Sequence, residues 1–282
     1  YIKSNVIAFW SDEDSLLNQG LALLTAISLA ENGFKVALVE TISCLPRLAG
    51  TLSIGHPYFN TRHAVSMFLQ KNNDFIRNCF FNASRYLDDK NSPEKCRYLE
   101  DYPQELYFLP DGKSDENVTW PELESCWKTF ITELSRIIIF EQNFSFLIFA
   151  CQGMSMFNDI VMKELAYLKF ITVGMLPSSI VYALREREKG PENIHIIGTR
   201  KIDCIIAQLH DLGEAPFLYP PVSFEDDFIN YIFLKKYGRI GGDSRLFIRQ
   251  ILDKIGVKLN DDEEKNGLRD RLFKLKGMFG RI

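Results

Sequence analysis

The sequence predicts a doubly wound α/β protein, with a mostly parallel sheet flanked by helices on both faces. Two observations carry this. Apolar runs of strand length recur along the chain, separated by stretches with helical periodicity. These runs lack the polar–apolar alternation of a sheet with one wet face, and strands covered on both sides by crossover helices have that character. A chain of 282 residues that is 46% hydrophobic and 25% charged can bury one large core.

The elements follow in order. "NVIAFW" (Asn5 to Trp10) is a continuous apolar strand, and "SLLNQGLALLTAISLAENG" (Ser15 to Gly33) is a helix closed by Asn32 and Gly33, a pair suited to a left-handed cap. "KVALVE" (Lys35 to Glu40) is the next strand, followed by a helical region around "TRHAVSMFLQ". The segment Asp88 to Asp101, charged and carrying a proline, reads as a solvated loop or insertion. "ELYFLP" (Glu105 to Pro110) is a strand, and "TWPELESCWKTFITELSRII" a helix with Thr119 as N-cap. "FSFLIFAC" (Phe144 to Cys151) and "KFITVG" (Lys169 to Gly174) are strands separated by the helix "MFNDIVMKELAYL". "SSIVYALREREKG" is helical, and "NIHIIG", "IDCIIAQL" and "APFLYPPV" are strand candidates. The expected division is an α/β domain over residues 1–258 and a C-terminal tail over 259–282.

Composition excludes several classes. A net charge of −4 and a pI near 5.7 argue against nucleic acid as a partner. The six cysteines (Cys44, Cys79, Cys96, Cys126, Cys151, Cys204) are scattered without a C-x-x-C pair, the pattern of a reducing, cytoplasmic protein. His56, His63, His195 and His210 stand apart from one another and from any zinc-like cysteine spacing, so no metal site is expected. No apolar run is long enough to span a bilayer. The start at Tyr1, almost inside the first strand, has the look of a piece of a longer chain, and removal of a tag would give the same appearance.

One stretch carries more information than the rest. "FWSDEDSLLNQGLALLT" (Phe9 to Thr25) follows a strand and opens a helix, where a phosphate-binding loop would sit, yet it is filled with acids. With "LAENGFKVALVE" and "PRLAGTLSI" (Pro46 to Ile54), the order of motifs from Asn5 to Val257 resembles the MinD/ParA family of P-loop ATPases. That family carries a deviant Walker A loop and includes the CpaE/TadZ proteins that position pilus assembly. Laid over its loop pattern K-G-G-x-G-K-T without a gap, the signature lysine falls on Glu13. The glycines fall on Asp14, Ser15 and Leu17, the phosphate-binding lysine on Asn18, and the magnesium-binding Thr/Ser on Gln19. After the second strand, Glu40 keeps the first acid of a pair and Ile42 replaces the second. Ala150 stands where the Walker B aspartate belongs, with Gly153 retained in the switch segment beyond it.

A phosphate cradle needs converging backbone N–H groups, glycines that permit a tight path, and a lysine that neutralises charge. Asp12, Glu13 and Asp14 place negative charge there instead, and like charges at about 4 Å repel by several kcal/mol in a partly buried site. Acids at a helix start also serve as a cap and complement the helix dipole. The resemblance therefore implies a pseudo-ATPase, binding no cofactor and hydrolysing nothing. Such a chain would act as a cytoplasmic scaffold or localisation protein through contacts with itself, a homologous ATPase or other proteins. The alternatives are a weakly active ATPase holding ATP and magnesium in another pose, and an accessory partner of an intact homologue.

No other catalytic set stands out. Ser178 and Ser179 read as helix caps, Gly153 to Ser155 form no G-x-S-x-G elbow, and Cys151 reads as a buried small hydrophobe. Glu40 and Asp203 read as polar groups at strand ends. The tail "EEKNGLRDRLFKLKGMFGRI" places Leu268, Leu272, Phe273, Leu275, Phe279 and Ile282 on one stripe, among Arg269, Arg271, Lys274, Lys276 and Arg281. It resembles the membrane-targeting helix of MinD. Peripheral contact with the inner face of a membrane, or with a partner, is expected through Leu268, Arg271, Leu272, Phe273, Leu275, Lys276 and Phe279.

Overall fold

The apolar runs form the strands they predict, and a sheet buried on both faces is the frame of the molecule. The computed structural model describes residues 5–12, 16–42, 60–72, 79–82, 102–111, 118–174, 177–198, 217–234 and 240–258. The strands are β1 (Val6–Ser11), β2 (Val36–Glu40), β3 (Phe81–Asn82), β4 (Leu106–Leu109), β5 (Phe146–Gln152), β6 (Leu168–Val173), β7 (Ile194–Gly198) and β8 (Phe217–Leu218). They form one sheet in the order β3-β4-β2-β5-β1-β6-β7-β8, in which β3 alone runs antiparallel, at the edge beside β4.

Seven helices cover it: α1 (Leu16–Glu31), α2 (Thr61–Leu69), α3 (Trp120–Arg136), α4 (Met156–Ile160), α5 (Pro177–Lys189), α6 (Phe224–Leu234) and α7 (Gly242–Ile255), among the described residues. Alternate residues of each strand serve the two faces. Ile7, Phe9, Leu38, Ile148 and Phe170 pack with α1, α6 and α7, while Ala8, Trp10, Val39, Leu147 and Ile171 pack with α2 to α5. Two cores flank the sheet, as the continuous apolar runs require.

Helix α1 is buried on every side from Leu17 to Ala30, sandwiched between the sheet and the helices α6 and α7. Gly20 makes this possible, because a Cβ there would sit 3.0 Å from the Phe228 ring and 3.3 Å from the Phe224 ring. The helix ends as expected: Gly33 takes φ +81°, and the N–H groups of Gly33 and Phe34 reach back to the carbonyls of Ala30 and Leu29. Thr119 precedes α3, and the Glu122 carboxylate accepts from both its N–H and its hydroxyl at 2.7 Å.

Several features differ from the predicted order. The last turn beyond α3 (Ile137–Glu141) and the one beyond α4 (Val161–Leu165) widen into π-helix, which no periodicity signals. β3 is two residues long and shows no pattern at that length. "APFLYPPV" yields only Phe217–Leu218, since Pro220 and Pro221 cannot donate to a ladder. Helices α6 and α7 were not foreseen, although Phe247, Ile248, Ile251, Leu252 and Ile255 fall at helical spacing and Gly256 closes α7 at φ +87°. "PRLAGTLSI", the charged segment Asp88 to Asp101, "IDCIIAQL" and the tail 259–282 lie outside the described residues.

Candidate functional site

In an open α/β sheet, ligands bind outside the carboxyl ends of the strands, where successive connections leave for opposite faces. Here α1 leaves β1 for one face and α4 leaves the neighbouring β5 for the other. The strand ends between them are therefore the candidate site: Asn18 and Gln19 lie in the first turns of α1, Glu40 and Ile42 at and just beyond the end of β2, and Ala150 on β5 beside Glu40. Glu13 lies outside the described residues.

Asn18 sits in the first turns of α1 and is fully buried. Its amide nitrogen donates to the carbonyl of Cys151 at 3.0 Å and to that of Phe9 at 3.4 Å, and its amide oxygen accepts from the Thr172 hydroxyl at 3.4 Å. One side chain thus ties together the ends of β5, β1 and β6. A phosphate-binding lysine extends away from the strands to meet its ligand; this short amide turns back and saturates them. Gln19 is buried beside it.

A second knot lies at the end of β2. Ala150 stands opposite Glu40 and Phe9 in the ladder and is 3% exposed, a core residue. Its carbonyl accepts from the Thr41 N–H at 3.1 Å and from the Thr41 hydroxyl at 3.3 Å. That hydroxyl also bonds the amide oxygen of the buried Asn158. The Asn158 amide nitrogen in turn donates to the carbonyls of Gln152 at 2.6 Å and Gly153 at 2.8 Å. Gly153, at φ +73°, is held further by the Trp10 indole, which donates to its carbonyl, and by its own N–H, which donates to Ser11 at 2.8 Å. The segment after β5 is thus fastened from three sides, by Asn158, Trp10 and Ser11.

The acids that remain have structural partners. Glu40 is 3% exposed, and its carboxylate accepts from the backbone N–H of Asp111 at 2.9 Å. Asp111, fully buried, pairs with Arg62 at 3.0 Å, and Arg62 stacks over Trp120 at 5.7 Å. Ile42, where the resemblance expects a second acid, is fully buried in the core. Asp12 accepts a hydrogen bond from the Ser179 hydroxyl. Helix α5 begins at Pro177, so Ser179 lies within its first turn and serves Asp12; the expectation that it caps the helix is corrected. Ser155 does cap α4, accepting from Asn158 N–H at 3.3 Å. Cys151 is fully buried and its thiol is pushed up to about 12 by that burial, which removes the thiolate at neutral pH. Among the described residues no three His, Cys, Asp or Glu side chains group to hold a metal.

Thr41, Asn158, Thr172 and the Arg62–Asp111 pair were not anticipated. Only Asn158 left a trace in the sequence, as a polar residue on the inward side of the short helix "MFNDI". The fold matches solved structures over most of the chain. A ParA family ATPase from Chlorobium tepidum superposes with a TM-score of 0.60 at 13% identity, over 88% of this chain and 99% of that one. The chain has the ParA/MinD fold. The MinC:MinD cell division protein complex of Aquifex aeolicus contributes a chain at TM-score 0.59 and 14% identity, over 91% of this chain and 97% of that one. The cell division ATPase MinD of Pyrococcus furiosus matches at 0.57 and 14%, over 90% and 98%. No protein-family model matches the sequence, and no curated relative matches it.

Proposed function

We propose that this chain is a pseudo-ATPase of the MinD/ParA type, CpaE/TadZ-like, which keeps the shape of a nucleotide site and works as a scaffold or localisation protein. The observation that carries the reading is Asn18. At the lysine position it is buried and committed to three strands, so the crevice holds no side chain there for phosphate. The apolar Ala150 and Ile42 support the same reading, since a magnesium shell needs oxygen ligands at such positions. On this reading the chain takes neither ATP nor magnesium, and with glutamate at position 13 no lysine reaches from there to a nucleotide in a second subunit.

Protein contact would use the carboxyl edge itself. Met154 is 65% exposed, with Met156 and Trp120 also exposed nearby, and Trp120 packs edge-on against Phe157 at 5.4 Å. Adaptable methionines beside an aromatic ring form a surface suited to a protein partner. A second copy, a homologous ATPase, or a component of a bacterial pilus, secretion or other polar machine fits this role in the cytoplasm. No helix among the described residues is long and apolar enough to cross a membrane. The basic tail supplies a peripheral contact with an anionic membrane through Leu268, Leu272, Phe273, Leu275 and Phe279, ringed by Arg271 and Lys276.

Sedimentation velocity with and without ATP and magnesium tests the scaffold reading. The two distributions superimpose if assembly is independent of nucleotide; a nucleotide-driven shift from one copy to two supports the weakly active alternative and overturns it. For the tail, removing the residues beyond Asp262 lowers co-sedimentation with anionic liposomes, and unchanged pelleting rejects the membrane contact.

A further inference from the structure

A second site lies at the other end of the sheet. Between the amino ends of β6 and β7, the π turn beyond α4 and the helix α5 opens a cleft of about 470 Å³, walled by Lys163, Glu164, Tyr167, Lys169, Glu186 and Lys189 among others. Four of its charges are already matched. Lys163 pairs with Asp159 at 2.7 Å, Glu164 with Lys128 at 2.8 Å, and Lys189 with Glu186, which is only 7% exposed. Lys169 is the exception among the described residues lining the cleft: its ammonium makes no hydrogen bond or ion pair.

Its position makes that unusual. Along β6, Ile171 and Val173 point to the core between the sheet and α5, and Lys169 occupies the same face two residues earlier. An apolar residue would continue the pattern. Instead a half-buried amine stands there, and its burial holds its pKa below the ordinary lysine range, with Glu186 and Lys189 exerting smaller opposed effects. A desolvated cation without an ion-pair partner costs stability, a cost that a ligand supplying the missing charge would offset.

We propose that the Lys169 cleft binds a small anion carrying a carboxylate or phosphate group, which pairs with the Lys169 ammonium while the exposed ring of Tyr167 flanks the rest of the molecule. The wall carries three lysines against two glutamates, an excess of one positive charge, and that excess is Lys169. The pairing is charge-assisted and partly shielded from water, the setting in which such a bond is strongest. The site is independent of the strand-end crevice, and its failure leaves the pseudo-ATPase reading untouched.

The test is an NMR titration of the full chain at constant ionic strength, with inorganic phosphate in one arm and succinate in the other. A saturable response centred on the amides of Lys169, Gly190, Asn193 and Ile194 is expected with at least one anion. A response to phosphate alone assigns a phosphate ligand, and one to succinate alone a carboxylate. Lys169→Met weakens apparent affinity about tenfold or more, the loss of one charge-assisted hydrogen bond, and raises the urea midpoint by removing the unpaired amine. Lys71→Met, on the exposed turn after α2 and away from the cleft, leaves affinity unchanged. No saturable response to either anion, a response centred elsewhere, or equal affinity in Lys169→Met overturns the proposal. Should Lys169→Met not fold, Lys169→Gln takes its place, and the wild-type shift map locates the site by itself.

Discussion

At the start of α1, Asn18 joins three strand ends through one buried amide. Its amide has two donor hydrogens and one acceptor oxygen, and the carbonyls of Phe9 and Cys151 and the hydroxyl of Thr172 use all three. Truncation leaves those groups buried without partners. Asn18→Ala is therefore expected to destabilise the fold by about 1–3 kcal/mol in urea unfolding. Asn18→Lys should cost more, because it buries a charge among carbonyls that cannot neutralise it, and a variant as stable as wild type would show that the crevice is open. Cys151 gives a second check at this scale. With a thiol raised to about 12 and no exposed surface, it should resist a thiol reagent at pH 8 in the native state and react on unfolding. That asparagine stands where the resemblance places a lysine was legible in the sequence. That the asparagine is spent on three strands was not, since its partners lie at Phe9, Cys151 and Thr172, far apart in the chain and brought together only by the sheet.

At the scale of elements, α1 is the organising helix, and its closeness to α6 depends on Gly20. A glycine replaced by alanine inside a helix ordinarily gains up to about 1 kcal/mol from propensity. Gly20→Ala should instead lose about 1–3 kcal/mol, because its methyl would meet the Phe228 ring at 3.0 Å; a raised melting temperature would show that α6 can shift aside. The sheet also carries a titration. His195 on β7 stacks on Phe170 with ring centroids 5.2 Å apart, and burial, reinforced by Lys254 and Arg187, lowers its pKa from 6.5 to about 4. Between those values the unfolded chain binds a proton that the folded chain refuses, so this histidine removes stability as pH falls from 6.5 towards 4. The drop in urea midpoint between pH 7 and pH 4.5 should shrink in His195→Gln, and an equal drop would dismiss His195 as its source. Strands β1, β2, β5, β6 and β7 were readable because burial on both faces leaves continuous apolar runs. The edge strand β3 and the π turns were not, for they are set by tertiary packing rather than local pattern.

The whole molecule combines a fold shared with ParA and MinD ATPases and a strand-end crevice closed by neutral hydrogen bonds. Fold class and crevice position could be read from the order of elements, because strand length and helix periodicity survive even where the loop chemistry differs. The opposite, lysine-bearing cleft could not, since Lys163, Lys169, Glu186 and Lys189 meet only when α4 and α5 pack on β6. In the proposed function, the strand ends around β1 keep the form of a nucleotide site without binding nucleotide. Isothermal titration of the full chain with ATP and magnesium at millimolar ligand tests this most directly: no heat of binding beyond dilution is the expected result, and saturable binding in the micromolar range would contradict it.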